Sequence, residues 1–104
     1  MSGAITKGLL VTLEAKPGLE DDLARFLVDA QELVAREPGT VAWFAFRTGP
    51  TSFGIFDVFP DEEARRAHLT GPVAAALVDR AADLLAEEPK IADADVLADR
   101  IAGR

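Results

Sequence analysis

The spacing of apolar residues predicts strands and a helix in the first half of the chain. Residues 6–14 are rich in leucine and valine, and residues 40–47 and 53–59 are β-branched and aromatic, which is typical of strands. Between the first two strands, acidic residues come first, as they do at helix N-termini. Apolar residues on both sides of these acids recur at helical spacing and predict one amphipathic helix: Leu19, Leu23, Phe26, Leu27, Ala30, Leu33 and Val34.

Pairs of proline and glycine divide these segments. Pro17-Gly18 ends the first strand, and Pro38-Gly39 ends the helix. Gly49-Pro50 lies between the two aromatic strands, which therefore predict a β-hairpin. A fourth pair, Gly71-Pro72, interrupts the helical pattern of the second half of the chain.

The second half of the chain predicts two helical stretches and a last strand. Asp61 has the side chain of an N-cap for a helix from about Glu62 to Leu69. A second helical stretch runs from Val73 to about Glu87. Residues 90–97 alternate apolar and acidic positions, which predicts a strand. The segment from Leu97 to Ala102 predicts either an extension of that strand or a short helix.

The resulting order, β-α-β-β-α-β, is the ferredoxin-like motif of the α+β class. It predicts a four-stranded antiparallel sheet with both helices on one face and the other face bare. An antiparallel sheet with one wet face alternates apolar and polar residues. The hairpin does not, because both faces of each of its arms are apolar. In the first arm Val41, Trp43 and Ala45 point one way and Ala42, Phe44 and Phe46 the other, and in the second arm Phe53, Ile55 and Phe59 alternate with Gly54, Phe56 and Val58.

This second apolar face predicts a homodimer. Exposed on a monomer, so large an aromatic surface would promote aggregation. The chain has no residues left to build a second sheet over it. Two copies that pack sheet-to-sheet about a twofold axis bury the surface economically.

Composition bounds the class of protein. The 104 residues suit a single domain over 1–104, and 49% of them are hydrophobic, which excludes a disordered chain. With 11 basic against 18 acidic residues and a net charge of −7, no nucleic-acid partner is expected. No membrane span or signal peptide is visible, and cysteine is absent. These features predict a cytoplasmic protein without membrane contact.

Few residues of the apolar segments carry chemistry. Asp57 lies inside an aromatic strand and needs a partner or a raised pKa. It is either paired structurally with Arg47 or His68, or a polar group of a ligand pocket, for example a general base. Arg47 either reaches solvent beside the turn or holds a ligand oxygen. His68, the only histidine, is either a packed residue or a catalyst. Trp43, the only tryptophan, belongs to the core or stacks on a planar substrate.

Other chemistries find no support in the sequence. One histidine without cysteine cannot build a typical zinc site. The glycine-containing loop at residues 49–54 lacks the lysine of a phosphate-binding loop and the dinucleotide fingerprint. No G-x-S-x-G nucleophile motif occurs.

Three segments resemble the antibiotic biosynthesis monooxygenase (ABM) family of dimeric α+β barrel proteins. They are LLVTLEAKPG at residues 9–18, EPGT at 37–40 before an aromatic strand, and DVFPDEEARRAHL at 57–69. The last is the most specific, with a strand acid, an aromatic residue two positions later, an acidic helix start and a histidine on that helix. The resemblance spans about residues 6–97.

The resemblance implies a dimer with one pocket per subunit, between the helices and the sheet. Monooxygenases of the family use no metal or flavin, so no cofactor is expected. A quinol-like or polyphenolic substrate is deprotonated and its anion reacts with O2. By this resemblance His68 is the base or orients it, Asp57 is its partner, and Phe59 is the strand aromatic. To these the hairpin adds Trp43 and Arg47. Trp43 and Phe59 are expected to form the pocket walls, and Arg47 to anchor a substrate oxygen.

The chain also departs from the family. Haem-degrading members pair the helix histidine with an asparagine and a tryptophan, but this chain has no asparagine, and Phe59 stands where the tryptophan is expected. Haem degradation is therefore disfavoured. Polyketide-type members use asparagine and tyrosine, which are both missing. Two alternatives to an enzyme remain open: a dimer that binds or senses a small molecule, and a structural dimer in which Asp57 and His68 only satisfy each other.

Overall fold

The computed structural model describes residues 4–103 and has the predicted α+β architecture. The elements in chain order are β1 (Lys7–Glu14), α1 (Glu20–Val34), β2 (Ala42–Arg47), β3 (Ser52–Phe59), α2 (Glu62–Leu69), α3 (Pro72–Leu84) and β4 (Lys90–Asp95). The strands form one antiparallel sheet in the order β2-β3-β1-β4. The ferredoxin-like order is confirmed, with the second crossover divided into two helices at Gly71.

Local sequence signals account for the positions of the helices. α1 buries Leu23, Leu27 and Ala30 at helical spacing, and its first turn is acidic. The predicted N-cap of α2 is confirmed, because Oδ1 of Asp61 accepts a hydrogen bond from the backbone N–H of Ala64 at 2.9 Å.

Two boundaries near the end of the chain differ from the prediction. The third helix stops at Leu84, short of Glu87, because Leu85 is extended and pairs with Ala15 in an isolated bridge. The segment from Leu97 to Ala102 forms neither a strand nor a helix, so both predictions for it were wrong. The pairing of β1 with β4 begins at Lys7, opposite Asp95, and leaves no strand beside the later residues. Leu97 is 95% exposed and has no core to pack on.

The two faces of the sheet have different environments. Residues paired directly across an antiparallel sheet share a face, and the face that includes Leu9, Ile55 and Phe53 packs under the helices and forms the core. The opposite face is bare and apolar. Its large residues Leu10, Phe44 and Phe46 are 39%, 58% and 38% exposed.

Candidate functional site

Asp57 is the only carboxylate buried within the central strands of the described sheet, and it lies on the helix face. In register it stands between Leu9 of β1 and Trp43 of β2. Only 1% of its surface is exposed. A carboxylate in such surroundings needs a charged or hydrogen-bonding partner.

His68 supplies that partner from above the sheet. It lies in the last turn of α2 and is itself buried. Its Nε2 is 3.0 Å from Oδ2 of Asp57, which is the distance of an ion pair. The two atoms are not aligned for a hydrogen bond. The ring of Phe59 packs against the imidazole at a centroid distance of 5.3 Å. Of the two structural pairs left open for Asp57, the structure therefore forms the one with His68.

Glu37 is a third member of this cluster, and no role was predicted for it from the sequence. It lies in the loop between α1 and β2, and its Oε1 is 2.5 Å from Nδ1 of His68. The hydroxyl of Thr40 donates to the same oxygen at 2.7 Å. The strand topology explains how Glu37 reaches the site. The start of β2 pairs with the end of β3, with Ala42 opposite Val58. The α1–β2 loop and the β3–α2 junction must therefore meet at one end of the sheet.

The two carboxylates determine the charge of the histidine. Burial alone lowers the pKa of His68, but the contacts with Asp57 and Glu37 outweigh it and raise the pKa above its ordinary value. The imidazolium form therefore persists to a higher pH than in an ordinary histidine. The cluster then consists of one cation held between two anions.

The cluster faces two spaces of different character. An inner cavity of about 50 Å³ lies between the helices and the sheet. An outer groove of about 280 Å³ lies between the α1–β2 loop and α2 and reaches Glu37. His68 forms part of the wall of both. The inner cavity is otherwise apolar apart from Asp57 and the indole nitrogen of Trp43, and its apolar walls include Leu9, Val11, Phe26, Leu27, Ile55 and Leu77.

The structure brings together three of the five predicted site residues at the inner cavity: Trp43, Asp57 and His68. Phe59 is fully buried and supports the ring of His68 without lining either space.

Arg47 lies apart from this group. It is four residues along β2 from Trp43, or roughly 13 Å at the rise of a strand. Its guanidinium donates to the carbonyls of Gly49 and Pro50 at 3.2 and 2.7 Å and lies over the ring of Phe53. In this structure Arg47 closes the hairpin loop.

The cluster is not arranged as a metal site. Within residues 4–103 no group of three side chains converges in a way that could hold a metal ion. Glu37 and Asp57 approach opposite nitrogens of the His68 ring, so their oxygens do not meet at one point.

No helix in the described part of the chain has the length and apolar character needed to cross a membrane.

Fold and site together define a class: a small ferredoxin-like α+β protein with a buried carboxylate–histidine–carboxylate cluster beside an apolar cavity. The model of the antibiotic biosynthesis monooxygenase family matches residues 8–89, which is most of the chain. The chain therefore belongs to the antibiotic biosynthesis monooxygenase family.

Solved structures share this fold. A protein of unknown function from Nitrosomonas europaea, NE2512, is 49% identical, with a TM-score of 0.92 over 93% of this chain and 94% of that one. Two putative antibiotic biosynthesis monooxygenases share the fold at low identity. The one from Nitrosomonas europaea is 20% identical, with a TM-score of 0.80 over 88% of this chain and 99% of that one. The one from Chloroflexus aurantiacus is 22% identical, with a TM-score of 0.70 over 94% and 99%. A comparison with proteins of curated function found no significant match.

Proposed function

We propose that this protein is a monooxygenase that oxidises a small quinol-like or polyphenolic molecule with O2 and without a metal or flavin. The observation that carries the proposal is the cluster of Asp57, His68 and Glu37, which places a buried carboxylate at the wall of a small, mostly apolar cavity. Family membership supports the monooxygenase class, and the cofactor-free chemistry follows from the family resemblance.

In this mechanism Asp57 accepts the proton of a substrate hydroxyl. His68, engaged at both ring nitrogens, acts as a positive charge beside Asp57 that balances the phenolate as it forms. The electron-rich phenolate then passes an electron to O2, and the two radicals combine to form a carbon–oxygen bond. Breaking the oxygen–oxygen bond leaves one atom on the ring and releases the other as water. A hydroquinone would thus give a hydroxyquinone and one water.

The size of the inner cavity limits the substrate. Ligand pockets commonly have about 300–1,000 Å³, several times the volume found here. Two residues at the cavity, Leu69 and Ile91, are 39% and 55% exposed, so their side chains are free to move outward. We infer that a substrate ring enters past these two residues and widens the cavity.

Oxygen uptake tests the proposal. We expect aerobic incubation with a panel of hydroquinones to consume O2, and Asp57→Asn and His68→Ala to slow the uptake about a hundredfold or more. Arg47→Ala is the control, because this side chain lies away from the cavity, and we expect it to keep the wild-type rate. Equal uptake by the wild type and His68→Ala across the panel would remove His68 from the mechanism.

A dimer that binds or senses a small molecule without turnover is the second candidate. The small cavity favours it, because such a cavity retains a compact ligand and leaves little room for a reacting ring and O2 together. Tight retention of a ligand with no product and no O2 uptake would support this function over oxidation.

The homodimer belongs to both candidates. The bare face of the sheet, with Leu10, Phe44 and Phe46 exposed, supports packing against a second copy. The site lies on the opposite face of the sheet, so each subunit would carry its own cavity.

A further inference from the structure

Two residues that line the inner cavity each have a buried polar group without a hydrogen-bond partner among residues 4–103. One is the indole N–H of Trp43, a donor, and the other is the carboxylate of Asp57, an acceptor. Asp57 is 99% buried, and its carboxylate forms an ion pair with His68 but no hydrogen bond within residues 4–103. Buried polar groups in folded proteins almost always have a partner, so this pair requires an explanation.

The fold places the two groups side by side. Trp43 and Asp57 are direct partners in the pairing of β2 with β3, so their side chains leave the sheet on the same face as neighbours. Both line the same small cavity. His68 contacts Oδ2 of the aspartate, which leaves Oδ1 as the oxygen for another partner.

The chemistry of the pair selects its ligand. A group that satisfies both must accept a hydrogen bond from the indole and donate one to the carboxylate. A hydroxyl does both, whereas an ether or ketone oxygen only accepts and an ammonium group only donates. The other walls are apolar, so the remainder of the ligand is apolar as well.

We propose that Trp43 and Asp57 form a hydroxyl-binding subsite that holds a single hydroxyl group of a compact apolar ligand. The subsite rests on the proposed function, because it assigns this hydroxyl to the substrate and Asp57 to its proton. It gives Trp43 a specific task, the donation of a hydrogen bond to the substrate oxygen, in addition to packing.

Three probes of similar size test the subsite in the full-length protein: phenol, anisole and toluene. Phenol donates and accepts, anisole only accepts, and toluene does neither. We expect calorimetry to show phenol binding about tenfold or more tightly than toluene, with anisole much closer to toluene. Because Trp43 is the only tryptophan and tyrosine is absent, a change of protein fluorescence on binding reports contact at this residue.

Trp43→Phe and Asp57→Asn separate hydrogen bonding from packing. Trp43→Phe keeps an aromatic ring and loses the N–H, so we expect phenol affinity to fall about tenfold while toluene affinity stays nearly constant. Asp57→Asn loses the charged acceptor, and we expect it to reduce the preference for phenol over anisole.

Several results would overturn the subsite. The first is equal wild-type affinity for phenol and toluene. The second is no binding of any probe, in which case only water occupies the pair. The third is a Trp43→Phe variant that weakens the binding of phenol and toluene equally. The outcome is distinguishable from that for the proposed function. Selective phenol binding without O2 uptake keeps the subsite and removes the monooxygenase, whereas O2 uptake without selectivity for phenol does the reverse.

Discussion

At the scale of single residues, His68 is the centre of the site because two carboxylates approach its ring from opposite sides. Glu37 contacts Nδ1 from the outer groove, and Asp57 contacts Nε2 from the inner cavity. A neutral imidazole has only one ring proton and would leave one carboxylate facing a lone pair. The positively charged ring donates to Glu37 and places its charge beside Asp57. This explains why the histidine is better suited to hold charge in the site than to collect a proton.

The charge of His68 should be visible in its titration. Burial lowers the pKa of His68 in the folded protein, but the contacts with Asp57 and Glu37 outweigh this effect and raise it. We expect the ring protons of this single histidine to titrate in NMR with a midpoint above about 6.5, the ordinary value. Glu37→Gln should lower that midpoint. A wild-type midpoint at or below the ordinary value would contradict the charged cluster.

The same shift makes the stability of the fold depend on pH. Because the pKa of His68 is raised in the folded state, protonation of this residue stabilises the fold. Its contribution to the free energy of unfolding is complete below the unfolded-state pKa of about 6.5. The contribution is lost as the pH rises through the folded-state pKa. We expect urea unfolding to show this decrease in the wild type and its absence in His68→Gln. A wild-type stability that rises over the same interval would refute the assignment.

At the scale of elements, the α1–β2 loop is held close against α2, and this contact brings Glu37 to His68. Gly39 allows the approach, because a Cβ atom there would lie 2.9 Å from the Cβ of Ala64. The loop must therefore shift if residue 39 gains a side chain. Gly49 in the hairpin loop has ordinary space, since its nearest contact would be 3.8 Å away, at Ser52.

These two glycines provide a matched pair of variants. We expect Gly39→Ala to destabilise the protein by about 1–3 kcal/mol and to lower the titration midpoint of His68, because the loop moves Glu37 away. Gly49→Ala should be neutral or slightly stabilising, since it fits and reduces the freedom of the unfolded chain. Urea unfolding and NMR titration measure both effects. If Gly39→Ala loses stability but the titration midpoint of His68 is unchanged, the position of the loop does not control the charge of His68.

The elements also show what the sequence was able to predict. Local signals sufficed for the order of strands and helices, for the cap at Asp61 and for the break at Gly71, because each depends on neighbouring residues. The pair of Asp57 with His68 was one of two alternatives, since the choice depends on how α2 crosses the sheet. The role of Glu37 depends on packing between a loop and a helix 31 residues apart, and no local pattern records it.

At the scale of the whole molecule, the sheet separates two apolar surfaces. The helix face contains the core and the candidate site, and the bare face contains Phe44 and Phe46 from the edge strand β2. The ring of Phe46 lies over Gly54, where any Cβ would collide with it. The Phe46 ring therefore lies against the sheet, and with the exposed Phe44 it leaves an apolar surface that suits contact with another sheet.

The dimer can be tested without disturbing the site. We expect the wild type to sediment at twice the mass of one chain, and Phe44→Glu to sediment as a monomer, because a charge within a sheet-to-sheet interface would be buried without a partner. Val78→Glu is the matched control. Val78 is 73% exposed, more than Phe44 at 58%, but it lies on α3, away from the bare face.

This control should remain dimeric if the face of the sheet, and not exposed apolar area as such, causes association. Asp57 and Phe44 lie on opposite faces of the sheet, so the titration midpoint of His68 should be the same in the Phe44→Glu monomer as in the wild type. A changed midpoint would mean that the second copy helps to organise the cluster. A wild type that stays monomeric at tens of micromolar would refute the dimer itself, and the bare face would then require another partner.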